Sequence, residues 1–187
     1  MVYDWQQPQW SQLMQGHRQQ RLHHALLLYG QAGTGKREFA LSLAQALLCE
    51  TPAEDGTACG RCHACQLIAA GTHPDLHHLK PLPPKDSKAA NPVYSIRIDA
   101  VRELCEQLAT TAQFDGRRVA VIEDADKMGR NAANSLLKTL EEPGASTHLV
   151  LVSSQPHRLP ITIRSRCLQV VFPVPPRELA LGWLQQQ

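Results

Sequence analysis

Apolar residues follow one another along this chain in two rhythms. Continuous runs form the first: Ala25 to Tyr29 within Leu22 to Tyr29, Val119 to Ile122 within Arg118 to Glu123, Leu149 to Val152, and Cys167 to Phe172. Runs this short, ended by glycine, acids, serines or prolines, read as parallel strands buried on both faces. The second rhythm repeats every three or four residues. Trp10, Leu13, Met14 and His17 mark a short amphipathic helix, and Phe39, Ala40, Leu43, Ala46 and Leu47 mark a longer one from Lys36 to about Cys49. Val101, Leu104, Cys105 and Leu108 predict a helix that Asp99 caps and that runs to about Thr111. Another spans about Asn131 to Glu142, where Pro143 stops it, and Ile161 to Ser165 makes a helical turn. Strands alternating with helices predict an α/β fold, a parallel sheet with helices on both faces.

The connecting segments are less regular. His73, Pro74 and Asp75 turn into a short piece, Leu76 to Leu79, and Ile96 to Ile98 forms a short extended stretch. Residues 81 to 92 hold four prolines and scattered charge, the pattern of an exposed, mobile loop. Phe114, Asp115 and Gly116 make a turn. Pro173, Pro175 and Pro176 read as a linker, after which Arg177 to Gln187 begins a further helix.

Composition narrows the setting. Apolar residues are 43% and charged residues 19% of the chain, ordinary for a soluble globular protein. A formal net charge of +2 is too small for a nucleic-acid coat or a membrane-surface patch. Residues Met1 to Trp5 show neither the basic nor the apolar part of a secretory signal, so the cytoplasm is the expected location.

Gly30-Gln31-Ala32-Gly33-Thr34-Gly35-Lys36 matches G-x-x-x-x-G-K between a predicted strand and a predicted helix, the context this phosphate-binding motif requires. Its glycines let backbone N–H groups face phosphate oxygens of ATP or ADP, the helix N-terminus adds partial positive charge, and Lys36 reaches the outer phosphates. The next residue should carry a hydroxyl for Mg²⁺, and here it is Arg37. The strand ending in Glu123-Asp124 supplies acids where a hydrolase holds Mg²⁺ and positions water, but in reversed order. Glu123 takes the metal-side place and Asp124 the water-side place; alternatively, both acids simply cap the following helix.

Cys49, Cys59, Cys62 and Cys65 offer four thiolates for a closed, structural Zn²⁺ site, with His63 inside the knuckle. Cys105 and Cys167 read as small buried apolar residues. His23, His24, His73, His77 and His78 lack metal spacing and read as surface or packing residues.

With these motifs in order, followed by Asn134-Ser135-Leu136-Leu137-Lys138-Thr139-Leu140-Glu141-Glu142-Pro143 and Ser165-Arg166-Cys167, the chain resembles the clamp-loader AAA+ family over nearly its whole length. The resemblance implies a P-loop AAA+ domain over residues 1–172 with the zinc module inserted at about 49–65. A linker and the start of a helical lid follow over 173–187, and the family's collar domain is absent. It further implies a ring-like machine that loads a sliding clamp onto primed DNA, with the clamp-opening delta subunit and gamma/tau-type motor subunits as partners. Arg166 would then be a finger acting in trans on a neighbour's ATP, and Ser154 would occupy the sensor position. The departures at Arg37 and Glu123-Asp124 fit a non-motor, stator-like member whose own ATPase is weak or absent. Two rivals stand beside this reading: an active ATPase subunit, and a zinc-knuckle nucleic-acid binder with a vestigial phosphate loop.

Overall fold

The computed structural model describes residues 2–84, 92–110 and 116–185. Among these residues, β1 (Ala25–Gly30), β2 (Leu76–Leu79), β3 (Arg118–Ile122), β4 (Thr147–Ser153) and β5 (Leu168–Phe172) form one parallel sheet in the order β2-β3-β4-β1-β5. Side chains alternate across a strand, and here each set meets its own helical layer. Ala25, Leu27, Ala120, Ile122, Leu149 and Leu151 pack with α4 (Ile98–Ala109), α5 (Arg130–Glu141) and the short α6 (Ile161–Arg164). Leu26, Leu28, Val119, Val121, Val150 and Val152 pack with α1 (Gln7–Arg18) and α2 (Lys36–Leu48). The inner positions of the central strands are therefore apolar on both faces, and the polar residues Arg118, Thr147, His148 and Ser153 stand towards the strand ends. A final helix, α7 (Arg177–Leu184), follows the proline segment. Among the described residues no helix is long and apolar enough to cross a membrane.

Several boundaries differ from the sequence expectation. Strand β1 begins at Ala25 rather than Leu22. The N-cap of α4 is Arg97, and Asp99 lies inside the first turn, where its charge still suits the helix end. That helix stops at Ala109; Thr111, Phe114 and Asp115 lie outside the described residues. The 81–92 segment is partly tied down, since Leu82 and Ser95 form an antiparallel bridge; residues 85–91 lie outside the description. Leu76 to Leu79 is a fifth strand at the sheet edge, and a helix not foreseen, α3 (His63–Ala69), follows Cys62. Cys167 is buried, as expected, and Cys105 is half-buried with its thiol on the Ser135 carbonyl.

His148, on β4, carries a titration consequence. Burial above all, with the nearby charges of His17 and Arg117, pushes it down to about 4 from its ordinary 6.5. Folded His148 stays neutral where the unfolded chain takes up a proton, so its contribution is lost as pH falls from 6.5 towards 4. The expected cost is about 1 kcal/mol one unit below 6.5 and about 3 kcal/mol at pH 4. Denaturant melts of the chain and of His148→Leu at pH 7 and 5.5 measure this; equal pH slopes in the two proteins would disprove it.

Candidate functional site

The C-terminal ends of β1, β3 and β4 lie on one edge of the sheet, the edge at which open α/β sheets bind ligands. The glycine loop leaves β1 there and enters α2. Gly30 lies so close to β5 that an added Cβ would sit 2.1 Å from the Phe172 carbonyl oxygen. Gly33 is exposed, and Gly35 caps α2 in the left-handed conformation with φ 81°. Buried Thr34 donates its hydroxyl to the Gln31 carbonyl at 3.0 Å. Lys36, buried, turns back over the loop, with Nζ 2.6 Å from the Gln31 carbonyl and 3.3 Å from Thr34 Oγ1. Burial lowers the Lys36 ammonium, and Asp124, Asp126 and Glu38 work against that.

The N-terminal segment closes over this loop. Gln6 Nε2 donates to the Thr34 carbonyl at 2.9 Å, and Trp5 Nε1 donates to the same oxygen at 3.3 Å. Tyr3 stacks on Trp5 with ring centroids 4.7 Å apart, and Trp183 of α7 meets both edge-on. An open cavity of about 360 Å³ lies between these rings, Gly33, Gly35 and Pro175. Gln6 is almost wholly buried, and no local pattern in the sequence marks it.

At the end of β3 the buried Glu123 faces Arg37: one carboxylate oxygen accepts from the guanidinium, and the other contacts His78 Nε2 at 2.5 Å. Burial acts to raise the Glu123 carboxyl, but Arg37 and His78 outweigh it and hold it below the ordinary carboxylate value. Burial also lowers His78 despite its acidic neighbour. His78 Nε2 donates a hydrogen bond to the Glu123 carboxylate, which makes it a site partner rather than the surface or packing residue the spacing suggested. Asp124 adopts φ 45° and pairs with Lys127 at 2.9 Å. Asp126 accepts from Ser153 Oγ at 2.5 Å and from the Ser154 amide at 3.1 Å, so it fixes the turn that presents Ser154. The sequence quoted Asp126 only as part of a motif.

The four cysteines converge at the far end of α2. Their sulfurs all lie within 4.8 Å of one another, with Cys49 and Cys62 3.9 Å apart. Zinc–thiolate bonds of about 2.3 Å give tetrahedral edges of about 3.8 Å, so this donor set fits one such ion. Backbone N–H groups stabilise the sulfurs: Cys59 donates to Cys49 Sγ at 3.2 Å and Cys62 to Cys59 Sγ at 3.3 Å. The Thr51 hydroxyl first, then the amides of Arg61 and Cys62, bring the Cys59 thiol down to about 5. Burial pushes Cys65 up to about 12, which a metal must overcome on binding. The module is tied to the body through Trp10 Nε1, which donates to the Asp55 carbonyl at 3.0 Å, and through Gly56, packed against Met14.

Arg166 follows α6, beside buried Cys167. It pairs with Glu141 at 2.5 Å and donates to the Thr162 carbonyl at 2.9 Å, with both charged side chains partly open to water. Gly30 registers with Phe172 and Leu26 with Leu168, so Arg166 enters at the opposite end of the sheet from the glycine loop. The intervening strand alone spans about 13 Å.

Comparison with known proteins places this geometry. The family model described as DNA polymerase III, delta subunit, matches residues 5–176. The DNA polymerase III subunit delta' of Pseudomonas aeruginosa is 51% identical over 98% of this chain and 52% of its own length. The delta' subunit of Escherichia coli is 39% identical over 99% of this chain and 53% of its own. The chain thus spans about half the length of these relatives. Among solved structures, a gamma subunit-related protein of DNA polymerase III from Thermotoga maritima matches with a TM-score of 0.61 at 25% identity, covering 89% of this chain and 47% of that one. The Thermotoga maritima RuvB branch-migration motor matches with a TM-score of 0.50 at 15% identity over 89% of this chain and 43% of its own, a likeness of fold.

Proposed function

The chain belongs to the delta' family of DNA polymerase III subunits, and from that premise we propose that it is the stator-like, non-motor part of a clamp loader. It helps place a sliding clamp on primed DNA, beside the delta and gamma/tau-type subunits, in the cytoplasm. Residues 1–172 act as the AAA+ unit, with the cysteine module as a structural zinc site, and 173–187 begin the lid. When bound, zinc supplies only a fixed tetrahedral anchor; Cys49, Cys59, Cys62 and Cys65 would hold it.

One observation carries the reading: Arg37 and Glu123 pair with each other where a motor subunit holds Mg²⁺. A site arranged this way binds phosphate without supporting hydrolysis. A different task for Arg166 is supported by its position at the far end of the sheet from its own loop and by its partial exposure. Its partial exposure makes the pair with Glu141 worth at most about 1 kcal/mol. The guanidinium can exchange that partner for a neighbouring subunit's γ-phosphate at small cost, and there it stabilises charge in the transition state.

Two measurements test this. The purified chain is expected to show no magnesium-dependent ATP turnover; strong turnover abolished by Lys36→Ala would sink the stator reading. In the loader assembled with the full-length subunit, Arg166→Ala is expected to lower turnover at the adjoining site by an order of magnitude or more with an unchanged melting temperature. Unchanged turnover would remove the finger role.

A further inference from the structure

Both oxygens of Glu123 are already taken by this chain's own side chains. Only 2% of the residue is exposed; Arg37 binds one oxygen, while His78 Nε2 sits 2.5 Å and Lys80 Nζ 4.0 Å from the other. Magnesium demands a near-octahedral shell of oxygens at about 2.0–2.1 Å. Position 37 supplies no hydroxyl, and its guanidinium stands on the carboxylate that would turn towards the ion. The donor set therefore does not fit the metal of a hydrolysing phosphate loop.

We propose that the glycine loop is a metal-free polyphosphate site, in which Arg37 anchored on Glu123 supplies the positive charge that Mg²⁺ provides elsewhere. The proposal rests on the reading that residues 30–36 cradle phosphate. A guanidinium has five N–H donors in a fixed fork and loses no proton at ordinary pH. Only the Nε and one terminal nitrogen face Glu123, and about half of the side chain is exposed, so an edge remains for a phosphate oxygen. Arg37 follows Lys36 in the first turn of α2, which brings two cations and the helix N-terminus to one place. A triphosphate already carrying Mg²⁺ brings a second cation against the guanidinium and is disfavoured. The site thus selects the uncomplexed anion, whether a free nucleoside triphosphate or inorganic tripolyphosphate.

Calorimetric titration of the full chain with a non-hydrolysable ATP analogue and with tripolyphosphate, each in EDTA and in excess Mg²⁺, tests the idea. Binding is expected in EDTA, and Mg²⁺ should leave it unchanged or weaken it. Arg37→Gln should weaken binding in EDTA by about tenfold or more, the value of a charge-assisted hydrogen bond. Arg37→Lys keeps a charge but not the fork, and should fall between the two; thermal melts confirm that each variant is folded. Binding of tripolyphosphate as tight as that of the nucleotide assigns recognition to the phosphates, and much tighter nucleotide binding adds a base contact at the aromatic cavity; both uphold the role of Arg37. Wild-type affinity that rises tenfold with Mg²⁺, or that is indifferent to both substitutions, overturns the proposal. No binding in either buffer overturns the phosphate-cradle reading beneath it.

Discussion

Replacing Cys62 with serine is expected to release the metal and unravel the segment from Cys49 to Ala69. Four sulfurs within 4.8 Å of one another are held together by an ion or repel as thiolates. Free zinc-finger peptides gain about 10–16 kcal/mol on metal binding. Only part of that will appear here, because the sheet can persist while the module opens. A loss of about 4 kcal/mol, or roughly 8–16 °C in melting temperature, is the expected scale. The damage should spread along a path visible in the contacts. Trp10 hydrogen-bonds to the module and packs edge-on to Phe39 with centroids 5.6 Å apart, and the helix carrying Trp10 continues from the segment that covers the glycine loop. Protease cleavage between residues 50 and 62 should therefore rise first. Metal analysis should give one ion per chain in the wild type and less in the variant. A wild type that melts at the same temperature with and without zinc, and no higher than Cys62→Ser, would show that the cluster is merely four neighbouring thiols.

The second large effect is expected from Gly30→Ala. The added methyl would sit 2.1 Å from the Phe172 carbonyl oxygen and 3.0 Å from its carbon. Both atoms are backbone and belong to the strand that pairs with β1, so they cannot swing aside as a side chain can. Relief requires parting the ends of β1 and β5. Phe172, which packs on Phe39 at 4.9 Å, would move with them. Overpacking of this kind costs about 3 kcal/mol, or about 6–12 °C in melting temperature. Gly33→Ala is the informative control: nothing lies within 4 Å of its Cβ, and only its φ of 80° opposes the change. It should lose about 1 kcal/mol. Equal melting temperatures for the two variants would show that the loop, not the strand contact, requires Gly30.

These two cases separate what was legible in the sequence from what was not. The central strands and flanking helices could be read because they are buried on both faces or on one, and burial imposes a period. Strand β2 escaped because Leu-His-His-Leu is only half buried at the sheet edge, which leaves no apolar run. Helix α3 escaped because it is only seven residues long, with Cys62 sulfur accepting its Cys65 amide at the N-cap, a contact set by the cysteine cluster. The cysteines, the glycine loop, Arg37, Glu123 and Arg166 were all identifiable by residue type and spacing. Their relationships were not. Arg37 and Glu123 are 86 positions apart, and His78 lies 45 before Glu123. Gln6 reaches Thr34 across 28.

The sequence by itself determined the α/β class, the phosphate loop and the four sulfur donors, because each follows from local period or local chemistry. The tertiary structure alone decided that Arg37 and Glu123 pair with each other, that His78 joins them, and that Arg166 lies at the other end of the sheet from its own loop. Strand order explains the difference. Sliding β1 between β4 and β5 while β2 takes the far edge sets which strand ends meet, and no run of residues along the chain records that order.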